Sequence, residues 1–319
     1  MSLIGHDDAW REWRAAMAGE RMHHAWMLVG PKGTGKGLFA RAAAAELVAQ
    51  AGVPQPPFDH HPDILIPEHP PENKEETKKR DDGQAYKRKR SIPVDEVRAL
   101  QHRLVTRPTL GPRRAVIFDP ADDLEKSASN ALLKSLEEPP VGTFFLLVTH
   151  RPARLLPTIR SRCRILRFPA LTDAEMNRIV AQETPQADSA TRAAAIAAAQ
   201  GSPGAALDFV DQDLGALHRI MQQLVAEGDA QFTLRGELAA QIGARPTRER
   251  IQATLDLARA VLAGNLRGMS AAQQARVVDV HAALAQLTAE APTANFEPGL
   301  LAMEIGGLLA SAAMPRETA

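Results

Sequence analysis

One cysteine, Cys163, is the whole thiol content of this 319-residue chain. A single thiol excludes an internal disulfide framework and any cysteine-rich zinc module, and it fits a reducing compartment. Net charge is missing as well. Thirty-eight Lys and Arg offset 38 Asp and Glu, so no global basic field is available to hold nucleic acid. Contact with DNA has to come from a local patch or from a partner. Long apolar runs are absent: no stretch approaches the roughly 18 uninterrupted apolar residues of a membrane span. The opening MSLIGHDDAWREW lacks the apolar segment of a signal peptide. A soluble, cytoplasmic protein is expected.

What is present is ample core material, 45% hydrophobic residues, over a length that predicts two or more domains. Strand and helix signals alternate through the first half. AWMLVG and RRAVIFD read as buried strands, TFFLLVT as a strand and RILRF as a last short strand. GLFARAAAAELVAQ, VDEVRALQHRLV and SASNALLKSLEE read as helices. Alternation of this kind predicts an α/β fold with a mostly parallel sheet covered on both faces. After Phe168 the strand signals stop. LTDAEMNRIVAQ opens on a capping box, Thr172 with Glu175, and the rest is Ala-rich and helical, broken at QGSPGAAL, GARPT, GNLRG and EAPTANFEPG. The domains expected are a sheet domain over 1–168, a small helical domain over 169–210 and an all-helical domain over 211–319. Residues 67–90, charged and nearly free of large apolar side chains, are expected to form a flexible surface insertion.

Between the first strand and the first of these helices lies GPKGTGKG, a phosphate-binding loop in every position but the last. Gly30, Gly35 and Lys36 match G-x-x-x-x-G-K, but Gly37 stands where Ser or Thr is usual. The backbone N–H groups of Gly33 to Gly37 would cradle a phosphate at the helix N-terminus, and Lys36 would add a charge at the outer phosphates. The hydroxyl absent at Gly37 would ordinarily ligate magnesium. A second loss lies at the end of AVIFD. In ATPases with this loop an Asp here helps hold magnesium and the following Glu activates water. Asp119 is followed by Pro120, which has no acid or base. Losing a general base typically costs about 10²–10⁴-fold.

Four stretches, HAWMLVGPKGTGKG, NALLKSLEEPP, FFLLVTH and LLPTIRSRC, together resemble the delta-prime family of bacterial DNA polymerase III clamp-loader subunits, which are AAA+ proteins. The resemblance covers the sheet domain almost continuously and extends more weakly through GSPGAAL and ANFEPGLLAMEI. Its most specific part is the SRC triplet. It implies an AAA+ P-loop domain, a small helical lid and a C-terminal collar, in a five-subunit loader with gamma/tau motor subunits and delta. That loader places the sliding clamp on primed DNA as part of the polymerase III holoenzyme. It implies that this subunit does not hydrolyse ATP by itself and donates Arg162, the SRC arginine, to the ATP site of a neighbouring motor. A guanidinium offers a fixed charge and a planar fork of donors to phosphate oxygens. It also implies that Gly204 replaces an arginine that touches phosphate in the motors, and that Thr149 matches a polar sensor. Many relatives carry a four-cysteine zinc module after the first helix. That stretch has no Cys here, and His60, His61 and His69 read as surface or packing residues, so no metal is expected. KRKR, Lys87–Arg90, reads as a solvated charged loop.

Other readings stay open on the residues alone. An active AAA+ motor or helicase loader is opposed by Gly37 and Pro120. A regulator that holds ATP or ADP without turnover is kept open by Gly30, Gly33, Gly35 and Lys36. A small-molecule kinase shares the loop, but nothing in the chain points to a substrate pocket.

Overall fold

The apolar runs become strands of one sheet. A computed structural model describes residues 3–264, 270–291, 294 and 296–313. Its first unit, Met1–Pro169, runs α1 (Asp7–Ala18), β1 (Ala25–Val29), α2 (Lys36–Val48), β2 (Ile64–Leu65), α3 (Lys74–Asp81), α4 (Val94–Leu104), β3 (Arg114–Phe118), α5 (Lys126–Glu137), β4 (Thr143–Thr149), α6 (Pro157–Arg160) and β5 (Arg164–Arg167). The strands are all parallel, in the order β2-β3-β4-β1-β5. The fold class is the one expected, an α/β domain with a parallel sheet followed by helices.

Side chains alternate between two cores. Trp26 and Leu28 of β1, with Leu146 and Val148 of β4, face α1 and α2, where Trp13, Phe39 and Leu47 are buried. Ala25 and Met27, with Phe145 and Leu147, face α4 and α5, where Val97, Leu100, Leu132 and Leu136 are buried. Two covered faces explain why the central strands β1 and β4 read as unbroken apolar runs rather than alternating ones, whereas β5 at the edge buries only Leu166. Trp13 meets Trp26 edge-on at 5.4 Å between ring centroids.

β2 is missing from the sequence reading because only two residues pair, Ile64 with Ala115 and Leu65 with Val116. Its position is fixed by its neighbour Asp63. That carboxylate is 1% exposed and accepts the N–H groups of Thr109 and Leu110, each at 2.7 Å. Arg114 lies beside it, with Nε 3.8 Å from Oδ1. Its Nη atoms donate to the carbonyls of Arg103, Thr106 and Arg107.

The stretch 67–90, expected as a flexible charged insertion, contains secondary structure. It is built around α3, capped by Asn73, whose Oδ1 accepts the Glu76 N–H at 3.0 Å. The buried Glu76 carboxylate receives Lys79 Nζ at 2.8 Å and the Lys87 N–H at 2.6 Å. Within KRKR, Arg88 pairs with Glu68 at 3.1 Å and lies over the Tyr86 ring. Charge pairing and capping supply here what apolar burial does not.

The second unit, Ala170–Ala319, contains only helices among its described residues: α7 (Asp173–Glu183), α8 (Ser189–Ala199), α9 (Pro203–Asp211), α10 (Gly215–Glu227), α11 (Thr233–Ile242), α12 (Arg248–Gly264), α13 (Ala271–Glu290) and α14 (Pro298–Ser311). One core runs through them, from Met176 and Val180 through Leu217, Met221 and Leu255 to Ile305 and Leu309. The Thr172–Glu175 capping box opens α7 as read. Residues 265–268 of the GNLRG break, and 292, 293 and 295 of EAPTANFEPG, lie outside the described residues.

Candidate functional site

The parallel order brings three strand ends to one edge. β4 lies between β1 and β3, so the loop after Val29, the residues after Phe118 and the end of β4 at Thr149 meet at the carboxyl ends of the strands. That is where open α/β sheets hold their ligands. Gly33 (φ 77°) and Gly35 (φ 88°) take the left-handed turns that swing the chain from β1 into α2. Gly30 is required for another reason: a Cβ there would run into the carbonyl oxygen of Phe168.

Lys36 does not extend from the loop. It is 2% exposed, and Nζ donates to Gly30 O at 2.8 Å and to Pro31 O, with Thr34 Oγ1 at 3.4 Å. Burial pulls its pKa down to about 8, against the opposing pull of Asp122 and Asp119. The amine thus fills its own loop. From the N-terminal side, His6 Nε2 lies 2.7 Å from Thr34 O, and Leu3 packs against Gly35.

Gly37 and Asp119 fit one another. A Cβ at Gly37 would collide with the Asp119 carboxylate, so this acid takes the space of the missing hydroxyl side chain. Burial raises the Asp119 pKa, with Arg41 and Lys36 acting the other way. Gly37→Ser is therefore expected to destabilise the sheet unit by about 1–3 kcal/mol through overpacking. It should restore no ATP turnover, because Pro120 still supplies no base. A urea midpoint and an ATPase assay on the same preparation check both parts.

Asp122 turns toward β4. Its Oδ1 accepts the Thr149 hydroxyl at 2.5 Å and its Oδ2 the His150 N–H at 2.6 Å. The hydroxyl matched to a phosphate sensor is already engaged. His150 Nδ1 is buried without a hydrogen-bond partner. Burial first, then the charge of Lys36, brings the His150 pKa down to about 4, against Asp122. The folded imidazole stays neutral down to about pH 4, whereas in the unfolded chain it takes up a proton near 6.5. Stability is then lost as pH falls from about 6.5 to 4, by at most ~3 kcal/mol. His150→Gln should flatten that limb of a urea-midpoint-against-pH curve.

Arg162 stands at the surface, just beyond α6. Its Nη1 donates to Thr158 O at 2.9 Å and its Nη2 pairs with Glu137 Oε1 at 2.7 Å, with the arginine side chain 34% exposed. Cys163 beside it is pushed up to about 12 by burial, so it stays a thiol and packs. Gly204 lies in the first turn of α9, after the Ser202 cap. His61 bonds Gln55, and His69 bonds Asp123 at 3.1 Å. Among the described residues no group of three His, Cys, Asp or Glu gathers as metal ligands, and no helix is long and apolar enough to cross a membrane.

The glycines, Lys36, Asp119 and Thr149 were legible in the sequence and the sheet brings them together. Sequence reading missed Glu137. Its one signal is position, since an acid at the end of a helix faces unfavourable carbonyl dipoles.

Residues 5–172, just over half of the chain, match the family model described as DNA polymerase III, delta subunit. The chain belongs to that family. It is 38% identical over 159 residues to DNA polymerase III subunit delta' of Pseudomonas aeruginosa, covering 46% of this chain and 44% of that protein. With the Escherichia coli subunit delta' it shares 39% over 127 residues, 40% and 38% of the two chains. A gamma/tau subunit from Mycobacterium bovis is 30% identical over 215 residues, 66% of this chain and 36% of that one. The matched part spans less than half the length of each of these relatives. Among solved structures, a gamma subunit-related protein of Thermotoga maritima aligns over 95% of this chain and 99% of that one, at 17% identity and a TM-score of 0.48.

Proposed function

We propose that the chain is the non-hydrolysing delta-prime subunit of a DNA polymerase III clamp loader, acting in the cytoplasm. It helps place the sliding clamp on primer-template DNA, in a hetero-oligomer with gamma/tau motor subunits and delta. In that assembly 169–210 acts as the lid and 211–319 as the collar. The subunit donates Arg162 as an arginine finger to the ATP site of a neighbouring motor.

The observation that carries the reading is a contrast within one domain. The chain's own loop is filled by its lysine, and Asp119 occupies the space beside Gly37. The SRC arginine, by contrast, is partly exposed, with its planar fork held by Glu137 and Thr158. The delta' names of the relatives support the assignment. On this reading Gly30, Gly33, Gly35 and Lys36 shape a turn, and no nucleotide is required for function. Magnesium chemistry is supplied by the neighbour's site.

The test is ATP turnover by the reconstituted loader with this chain intact or carrying Arg162→Ala, after assembly has been checked by gel filtration. A drop with unchanged assembly supports the finger. ATP hydrolysis by the isolated chain would overturn the non-hydrolysing half of the proposal.

A further inference from the structure

We infer that Glu137 is a positioning residue for the Arg162 guanidinium, an inference that rests on the reading of Arg162 proposed above. Two groups from two elements hold the guanidinium. Glu137 Oε1, at the end of α5, takes Nη2 at 2.7 Å, and the carbonyl of Thr158 in α6 takes Nη1 at 2.9 Å. An arginine carries five N–H donors in one plane. Fixing one N–H on each terminal nitrogen sets the tilt of that plane, and the remaining donors are left for an incoming phosphate.

The pair is poorly placed to serve the fold. Its side chains are 34% and 49% exposed, and an ion pair so open to water adds little stability. Glu137 also ends its helix, with Glu138 as the next residue, where the carbonyl end disfavours a carboxylate. An acid set against its own helix, and bonded to the one residue proposed to leave this subunit's surface for a neighbour, is accounted for by what it does to that residue. A long side chain in water samples many rotamers. Holding Arg162 in one of them before the neighbour arrives removes part of the ordering entropy of the catalytic contact.

The experiment compares four assembled loaders for ATP hydrolysis in the presence of clamp and primed DNA: wild type, Glu137→Ala, Arg162→Ala and the double variant. Glu137→Ala is expected to slow turnover at the site facing this chain by roughly tenfold to hundredfold, the scale on which a displaced catalytic group loses rate. The KM for ATP should stay within about twofold. The double variant should be no slower than Arg162→Ala alone, since a positioning residue has nothing left to position. Glu137→Gln keeps an oxygen acceptor in the same shape and should recover part of the rate. If Glu137→Ala assembles poorly, Glu137→Leu, which also removes the acceptor, carries the same comparison. Full turnover with Glu137→Ala, alongside lost turnover with Arg162→Ala, overturns the positioning role and leaves the finger standing. Full turnover with Arg162→Ala removes the finger, and this inference with it. A Glu137 loss that persists undiminished in the Arg162→Ala background assigns Glu137 a contact of its own and also overturns the role.

Discussion

Arg162→Ala should slow ATP hydrolysis at the neighbouring motor site by about 10³–10⁵-fold, the range over which an arginine supplied in trans acts in NTPases. Total loader turnover should fall by at least the share that this one site contributes. The size of the effect follows from when the contact is made. Charge redistributes over the phosphate oxygens as the transition state forms, and a finger that matches that arrangement better than bound ATP acts there, so the loss falls on kcat and leaves ATP affinity little changed. Arg162→Lys is a sharper version. It keeps a positive charge but loses the planar fork, and with it the arrangement in which Glu137 and Thr158 each take one terminal nitrogen. It should recover little of the rate. Unchanged turnover in an intact Arg162→Ala loader would reduce this arginine to an interface residue.

The largest stability effect belongs far from that surface, at Asp63. Asp63→Ala should cost about 3–5 kcal/mol, the range for breaking a buried ion pair. It strips two backbone N–H groups of their acceptors, at Thr109 and Leu110, and leaves the buried Arg114 guanidinium without its counter-charge. Burial already lowers the Arg114 pKa, and Asp63 is what opposes that shift. Asp63→Asn keeps one acceptor and should lose about half as much. The readout is convenient: the three tryptophans, Trp10, Trp13 and Trp26, all lie in the sheet unit, so their fluorescence during urea unfolding reports on that unit alone. A loss below about 1 kcal/mol would show that the loop from Thr106 to Leu110 holds β2 without the acid.

The two residues also mark how far the sequence was readable. β1, β3 and β4 were legible because each carries a continuous apolar run bounded by polar or glycine residues, and burial on both faces demands that pattern; β5 offers only the pair Ile165-Leu166, of which Leu166 alone is buried. β2 was not, because two residues carry no period and Asp63 works through partners some fifty positions away. α3 was hidden for a related reason. Its sequence KEETKKRD has no apolar face, and what holds it is Asn73 at one end and Glu76 reaching to Lys87. At the candidate site, Gly37 and Pro120 were readable as missing chemical groups. That Asp119 fills the space beside Gly37, and that Lys36 closes on Gly30 and Pro31, needed β1 and β3 placed near one another. Arg162 was legible from its triplet. Glu137 lies in the stretch LEEPP, where a second glutamate follows it at once, and nothing local tells the two apart.

The strand order has a consequence for synthesis. Of the five strands described, β1 leaves the ribosome before the others, yet its partners in the sheet are β4 and β5, which open at Thr143 and Arg164. At the usual pace of about 5–20 residues per second, AWMLV waits roughly 6–25 seconds before its first neighbour is made. For that interval a fully apolar, β-prone segment has no edge of its own chain to join. Nascent chains of this protein should therefore lean on ribosome-associated chaperones most while residues 30 to 143 are being translated, and that dependence should fade once β4 is free to pair.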